Sequence, residues 1–357
     1  MNYAGIDYHK RYSVVNIIDD HGELHVDNAR VAPNSVEGFR AVFTRVSGPI
    51  TATFECGLNW GWLYDTLEET GLVERIVVAN PGKVKVIAAA EIKTDKIDAL
   101  KLAGLLQARL IPAVHVPDRK TRGRKDIVRQ RAQWVRMRTR IRNRIHVIID
   151  RQRDLHLAQV TDIFGRKGLS ALQRAILSEP DATLLRQNLA AHETLVALIR
   201  EDERLMAADN NDDAVVTLLL SLPGVGPIIA SVIALEIDGI ERFTDADRLC
   251  SYAGVVPSTY SSGGHTRHGH MLVCANHWLK WALIEAAWVA VGCDPYFGGL
   301  YRRQRARGKK ATTAITIVAR RMCRIIWCLL KEQRCYQHYE QIKLPVASCQ
   351  FLTKACA

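Results

Sequence analysis

The chain has 357 residues, 48% of them hydrophobic and 24% charged, with a formal net charge of +12. That balance excludes a disordered chain and favours a polyanionic partner, nucleic acid or an anionic membrane surface. No apolar run reaches the roughly 18 residues needed to cross a bilayer, and Met1–Asp7 lacks the basic-then-apolar order of a secretory signal. Nine cysteines, odd in number and without a C-x-x-C pair, argue against a disulfide framework or zinc knuckle and for a cytoplasmic protein. Tyr3–Asp7 and Tyr12–Ile18 read as short strands, and Asp19-Asp20-His21-Gly22 as a turn into a third strand over Glu23–Ala29. Ser35 is placed to cap a helix over Val36–Val46, Ile50–Glu55 is a strand, Trp60–Glu69 a helix stopped by Gly71, and Arg75–Ala79 a fifth strand. Three meandering strands followed by strand–helix alternation predict a mixed α/β sheet domain over residues 1–118.

Composition changes at Arg119. From there to Arg153 twelve Arg and two Lys face two Asp, a surplus of twelve that equals the net charge of the whole chain. Trp134, Ile141, Ile145 and Ile148 recur at helical spacing, with Arg131 and Arg138 completing the stripe. Leu185, Leu189, His192, Val196, Ile199 and Met206 form a second stripe, with Glu203 filling one position. Together they predict a long helical hairpin or short coiled coil over 119–213, basic on its first arm. Arginine without acidic partners one turn away favours phosphate contact by Arg129, Arg131, Arg136, Arg138, Arg140, Arg142 and Arg144 over a merely solvated helix. After the polar break at 209–213 a mainly helical domain is expected over 214–345, with a tail, 346–357. Leu222-Pro223-Gly224-Val225-Gly226-Pro227 resembles the turn of a helix-hairpin-helix module, in which Gly224 and Gly226 would let backbone N–H groups approach a phosphate; a plain Gly-Pro turn explains it almost as well. A basic cluster from Arg302 to Lys309 and Lys310 precedes a last amphipathic helix.

Four acids carry the candidate chemistry. Asp7 and Glu55 each end an apolar strand, and Asp95 and Asp98 lie on the apolar side of a helix striped by Ala99, Leu102, Leu105 and Leu106. Carboxylates gathered toward a sheet are costly unless cations neutralise them. Two Mg²⁺ ions about 3.5–4 Å apart would do so and would suit phosphoryl transfer. A second constellation, Tyr260 to His270, sets serines on a Gly-rich segment beside Arg267 and three histidines. A polar turn and a phosphate-binding loop both remain open there, and phosphate fits better than a histidine metal site, which would lack an acidic ligand.

The ensemble resembles the DEDD-type insertion-sequence transposases, a family that includes pilin-gene invertases. The matching stretches are Gly5-Ile6-Asp7, Phe54-Glu55-Cys56-Gly57, Lys93 to Ala99, Leu222 to Gly226, Tyr252 to Pro257, Ser261-Ser262-Gly263 and Gly308-Lys309-Lys310, in family order over about residues 3–331. The resemblance implies a RuvC-like (RNase H-like) domain, a coiled-coil domain and a C-terminal transposase domain. It implies that Asp7, Glu55, Asp95 and Asp98 hold Mg²⁺ and that Ser262 is a nucleophile forming a transient phosphoserine link to DNA. It further implies donor and target DNA as substrates, a structured non-coding guide RNA, homodimers pairing into tetramers, and a place at the nucleoid. The chain departs from the family in a run usually written Lys-x-Gly-Asn-x-x-Leu-Arg, carrying Val273 and Ala275 at the basic and glycine positions while keeping Asn276 and Lys280. A resolvase-like metal-dependent nuclease and a non-catalytic nucleic-acid-binding scaffold are the rival expectations.

Overall fold

The computed structural model describes residues 1–87, 95–152, 161–211, 213–262, 265–271 and 275–337. The chain divides into two compact units after Pro117. The first is built on five strands, β1 (Asn2–Tyr8), β2 (Ser13–Ile18), β3 (Leu24–Val31), β4 (Ile50–Glu55) and β5 (Val73–Ala79), in the order β3-β2-β1-β4-β5. β1 runs antiparallel to β2 and parallel to β4, and β4 parallel to β5. Strand alternation sorts the side chains between two faces. Ala4, Ile6, Ile50, Ala52 and Phe54 face one core, closed by Phe39 and Phe43 of α1 (Val36–Phe43) and by Leu63 and Leu67 of α2 (Trp60–Glu69). Ser35 caps α1 as its position predicts, its side chain accepting from the Gly38 N–H. The helix is shorter than its apolar pattern suggests. Its last residue is Phe43, and the Thr44 hydroxyl then donates to the Arg40 carbonyl.

Two further helices complete this unit, α3 (Pro81–Ile87) and α4 (Asp95–Gln107). α4 lies against the other face of β1, at Gly5. A Cβ on Gly5 would sit 2.0 Å from the Ala99 carbonyl oxygen and 2.5 Å from the Ala103 nitrogen. Backbone meets backbone here, which requires a residue without a side chain on the strand and small residues on the helix. Ala99 and Ala103 are both fully buried.

The second unit opens with α5 (Arg119–Asp150), whose first turn is capped by the Asp118 carboxylate accepting from the Thr121 N–H. It packs antiparallel on α7 (Asp181–Asn210), as successive cross-links along the pair record: Arg124 with Asp209, Arg131 with Glu203, Arg142 with His192, and Gln152 with Asp181. Near one end Ile145, Ile148 and Leu185 bury against Leu172 of α6 (Arg166–Arg174). At the other, Val128 and Met206 join the large core of the unit. That core is formed by α8 (Ala214–Leu220), α9 (Pro227–Ile237), α10 (Ala246–Tyr252), α11 (His277–Cys293), α12 (Pro295–Ala306) and α13 (Ala311–Glu332). A mixed five-stranded sheet succeeded by mostly helical structure is thus the architecture. Among the described residues no helix is long and apolar enough to cross a membrane.

One element departs from the reading of residues 260–270 as a turn or loop. Pro257–Ser262 and His265–Met271 are strands, β6 and β7, paired antiparallel with Ser262 opposite His265. A Gly-Gly pair between two short runs is a hairpin signal. Here it is masked by the polarity of both runs, which lack the apolar alternation of a half-buried strand.

Replacing Gly5 by Ala forces α4 away from β1. Overpacking of this kind costs about 1–3 kcal/mol, so the urea midpoint of the Gly5→Ala protein should fall measurably. An unchanged midpoint would show that the approach of α4 is not tight.

Candidate active site and nucleic-acid interface

β1 and β4 are parallel neighbours with Ile6 opposite Phe54, so Asp7 and Glu55 are the next residues at adjoining strand ends. By alternation both share the face of Gly5, the face that α4 covers. Helix α4 supplies Asp98 one residue before Ala99, which meets β1. The three carboxylates consequently line one cavity of about 610 Å³. The cavity is open: Glu55 is exposed and Asp98 half-buried. His9 Nε2 lies 3.1 Å from Asp7 Oδ2. Asp95 is the first residue of α4, and its side chain falls outside the described residues. The donor set, carboxylate oxygens from three separate segments, suits a hard divalent cation. The three carboxylates are not drawn within 4.8 Å of one another; among the described residues the trio that is so gathered is Asp19, Glu23 and His25, in the β2–β3 connection. Around the acids stand Lys10, Lys85 and Lys101, three cations absent from the set expected on sequence. Lys101 was within reach of sequence reasoning, lying three residues beyond Asp98 and so on the same side of a helix.

Helix α5 divides its arginines. Arg131 Nη2 bonds Glu203 at 2.6 Å, Arg129 Nη2 bonds Glu236 at 3.1 Å, and Arg142 donates through Nε to His192 Nε2 at 3.1 Å while its guanidinium lies 4.7 Å from the Phe164 ring centre. Arg138 is half-buried, and desolvation presses its pKa down. Arg136, Arg140 and Arg144 are exposed. Their spacing of four residues sets them along one side of the helix, about 6 Å apart along its axis. Arg136 also covers the Trp278 ring at 5.4 Å.

Ser262 ends β6 and Arg267 lies within β7; their side chains fall outside the described residues. The segment beyond the hairpin is strongly anchored. Asn276 caps α11, its Oδ1 accepting from the Trp278 and Leu279 N–H groups, so helix entry survives the alanine at 275. Asn276 Nδ2 donates to Tyr252 Oη at 2.9 Å and to Glu236 Oε2 at 2.8 Å. Glu236, only 4% exposed, also meets Lys125 Nζ at 3.7 Å and Arg129. Burial lowers the pKa of Lys125, and Glu236 opposes that shift. The trace of this cluster in the sequence is a lone glutamate within an otherwise apolar helix, too slight to name its partners. Gly224 has φ +82°, and a Cβ there would lie 2.3 Å from the Ala286 carbonyl oxygen, so this glycine admits α11. Gly226 precedes α9 with open space where a Cβ would stand, and Lys309 and Lys310 are exposed ahead of α13.

Two family profiles match in tandem. The DEDD transposase profile of IS110 elements matches residues 4–152, and the profile described as transposase IS116/IS110/IS902 family matches residues 216–302. The chain belongs to the IS116/IS110/IS902 transposase family. It is 26% identical over 94% of its length to a Pseudomonas aeruginosa protein named "Probable family 20 transposase", of which 99% is covered. It is 35% identical to the 43.6 kDa protein of insertion element IS110 from Streptomyces coelicolor, over 34% of this chain and 30% of that one. The match to the 44.8 kDa protein of IS116 from Streptomyces clavuligerus is 29% identical, covering 49% and 45% of the two chains. As a DEDD transposase the protein is a DNA-recombining enzyme of the class that depends on divalent metal.

In this transposase His192 is 3% exposed and held below its ordinary pKa of 6.5, by burial first and then by Arg142 and Arg138. The neutral ring accepts the Arg142 bond. As pH falls through about 6.5 the unfolded chain takes up this proton before the folded one, so stability present at neutral pH is lost on acidification. The urea midpoint should drop between about pH 7.5 and 5.5, and His192→Gln should shallow the drop. Equal slopes for the two proteins would remove His192 from the account.

Proposed function

We propose that this transposase cuts and rejoins DNA through Asp7, Glu55, Asp95 and Asp98, which hold Mg²⁺, and through Ser262 as a nucleophile. A structured non-coding RNA guides it, and homodimers pair into tetramers on donor and target DNA at the nucleoid. The observation that carries the reading is the convergence of Asp7, Glu55 and Asp98 on one cavity from two parallel strand ends and a helix. The domain is read as RuvC-like (RNase H-like), and the α5–α7 pair as a coiled-coil domain between it and the transposase domain. Four carboxylates suit ligands divided between two ions about 3.5–4 Å apart. Bound Mg²⁺ supplies charge neutralisation at the phosphate and lowers the cost of activating the attacking oxygen. The carboxylates' task is to fix that charge beside the scissile phosphate.

Ser262 Oγ attacks phosphorus, a Ser–O–P bond forms, the strand's P–O bond breaks, and the departing strand oxygen leaves as a hydroxyl after taking up a proton equal to the one the serine releases. The phosphoserine keeps the free energy of the broken diester, so reversal by another strand's hydroxyl rejoins DNA without an external energy source. Arg267 neutralises phosphate charge at that step. Arg136, Arg140 and Arg144, exposed on one side of α5, lead the phosphate contacts, with Gly226, Lys309 and Lys310 as further contacts.

Asp7→Asn, Glu55→Gln, Asp95→Asn and Asp98→Asn should each abolish strand cleavage while leaving DNA binding largely intact; wild-type recombination by any two would sink the assignment. Ser262→Ala should eliminate recombination and the covalent protein–DNA adduct on a denaturing gel, with Ser261→Ala milder. Cleavage that persists without an adduct points to the resolvase-like chemistry, and binding without any cleavage to a scaffold. Converting Arg136, Arg140 and Arg144 together to Gln should flatten log K against log[salt] by roughly 0.7–0.9 for each phosphate these side chains no longer neutralise. An unaltered slope would return the stripe to a solvated helix face.

A further inference from the structure

Beside the carboxylate cavity lies a second hollow of about 590 Å³, lined by Tyr8, Lys10, Arg11, Asn59 and Trp62 among others. Tyr8, Lys10 and Asn59 line both, so the two adjoin at the strand ends. Trp62 is 45% exposed, although the residue after it, Leu63, is fully buried in the sheet core. Trp62 therefore occupies the outer side of α2, where the core makes no demand for an aromatic residue. Its ring stacks on Tyr8 with centroids 6.2 Å apart and planes 22° from parallel, which sets its orientation. The neighbouring Leu58 is 81% exposed. Lys10 and Arg11 occupy the β1–β2 connection, both exposed, and neither has a carboxylate partner among the described residues. The connection is held from within: Asn34 Nδ2 donates to the His9 carbonyl and Ser13 Oγ donates to Asn34 Oδ1.

A flat aromatic face beside two exposed cations matches the two halves of a nucleotide, a π surface and an anion. Its place explains a difficulty of the acidic cavity, whose carboxylates repel the strand they are meant to cut. We propose that this hollow binds one unpaired DNA nucleotide next to the scissile phosphate, its base on Trp62 and its phosphate on Lys10 and Arg11. This rests on the carboxylate cavity being the site of strand cleavage. Stacking accepts any base, so the contact holds a strand in place without reading its sequence.

The test uses the full-length protein, an oligothymidylate strand carrying one 5-iodouracil, and EDTA to prevent cutting. Ultraviolet irradiation joins the iodinated base to an aromatic ring stacked on it, and peptide mass analysis locates the adduct. An adduct on Trp62 or Tyr8 is expected, falling at least about tenfold in Trp62→Ala, kept in Trp62→Phe, and weakened by Lys10→Gln with Arg11→Gln. Adducts confined to other peptides, or formed at Trp62 only with an iodouridine RNA, would overturn the proposal. Because the readout needs no cleavage, it separates the two readings. Adducts at Trp62 together with an Asp7→Asn protein that still cuts would uphold the hollow and sink the carboxylate assignment. Abolished cutting in Asp7→Asn with no adduct in the wild type would do the reverse.

Discussion

The seating of α4 on Gly5 governs the N-terminal unit. A strand residue with any side chain would hold the helix at ordinary packing distance, and Asp98 would then stand farther from the strand ends. With glycine there and alanines at 99 and 103, the helix backbone rests on the sheet, and the acid that precedes Ala99 is delivered to the cavity containing Asp7 and Glu55. The same alternation that buries Ala4 and Ile6 on the far face obliges Gly5 and Asp7 to share the near one. Site and packing are therefore one constraint, set by three small residues that carry no chemistry of their own.

The C-terminal unit solves a different problem, the burial of charge. Glu236 is nearly enclosed by Lys125, Arg129 and Asn276. Such a pair contributes little net stability, yet removal of one partner leaves the other uncompensated at a cost of several kcal/mol. Its value is in fixing geometry. Asn276 both caps α11 and binds Glu236 and Tyr252, so the basic helix, the apolar helix α9 and the entry to α11 meet at one carboxylate just past the hairpin that bears Ser262. A glycine again permits close helix contact nearby, where Gly224 faces Ala286.

Much of this was legible in the chain itself. Every strand of the N-terminal sheet could be placed because apolar alternation and turn residues agree there, as at Ile50–Glu55 and the Asp19–Gly22 turn. Asp7, Glu55 and Asp98 could be grouped by their positions at strand ends and on an apolar helix side. The β6–β7 hairpin could not, since its residues are too polar for an alternation signal to emerge. Nor could the division of labour on α5 be read from spacing alone. Arg129 and Arg136, seven residues apart, look equivalent in sequence, and only the fold separates them, by giving Arg129 a bond to the buried Glu236 and leaving Arg136 exposed over the Trp278 ring. A partner 107 residues away leaves no local trace.

The antiparallel pairing of α5 with α7 has a consequence for how chains of this design can differ in length. Arg124 with Asp209, Arg131 with Glu203 and Arg142 with His192 act as rungs joining two rods of 32 and 30 residues. One residue inserted into either rod turns everything beyond it by about 100° and advances it by about 1.5 Å. Every later rung then misses its mate, and arginines that pointed outward turn toward the partner rod. Length can change without that penalty only when both rods grow or shrink by matched blocks close to two whole turns, about seven residues each. The arm is in this sense a ruler with a coarse, quantised scale, and its graduations are set by polar cross-links.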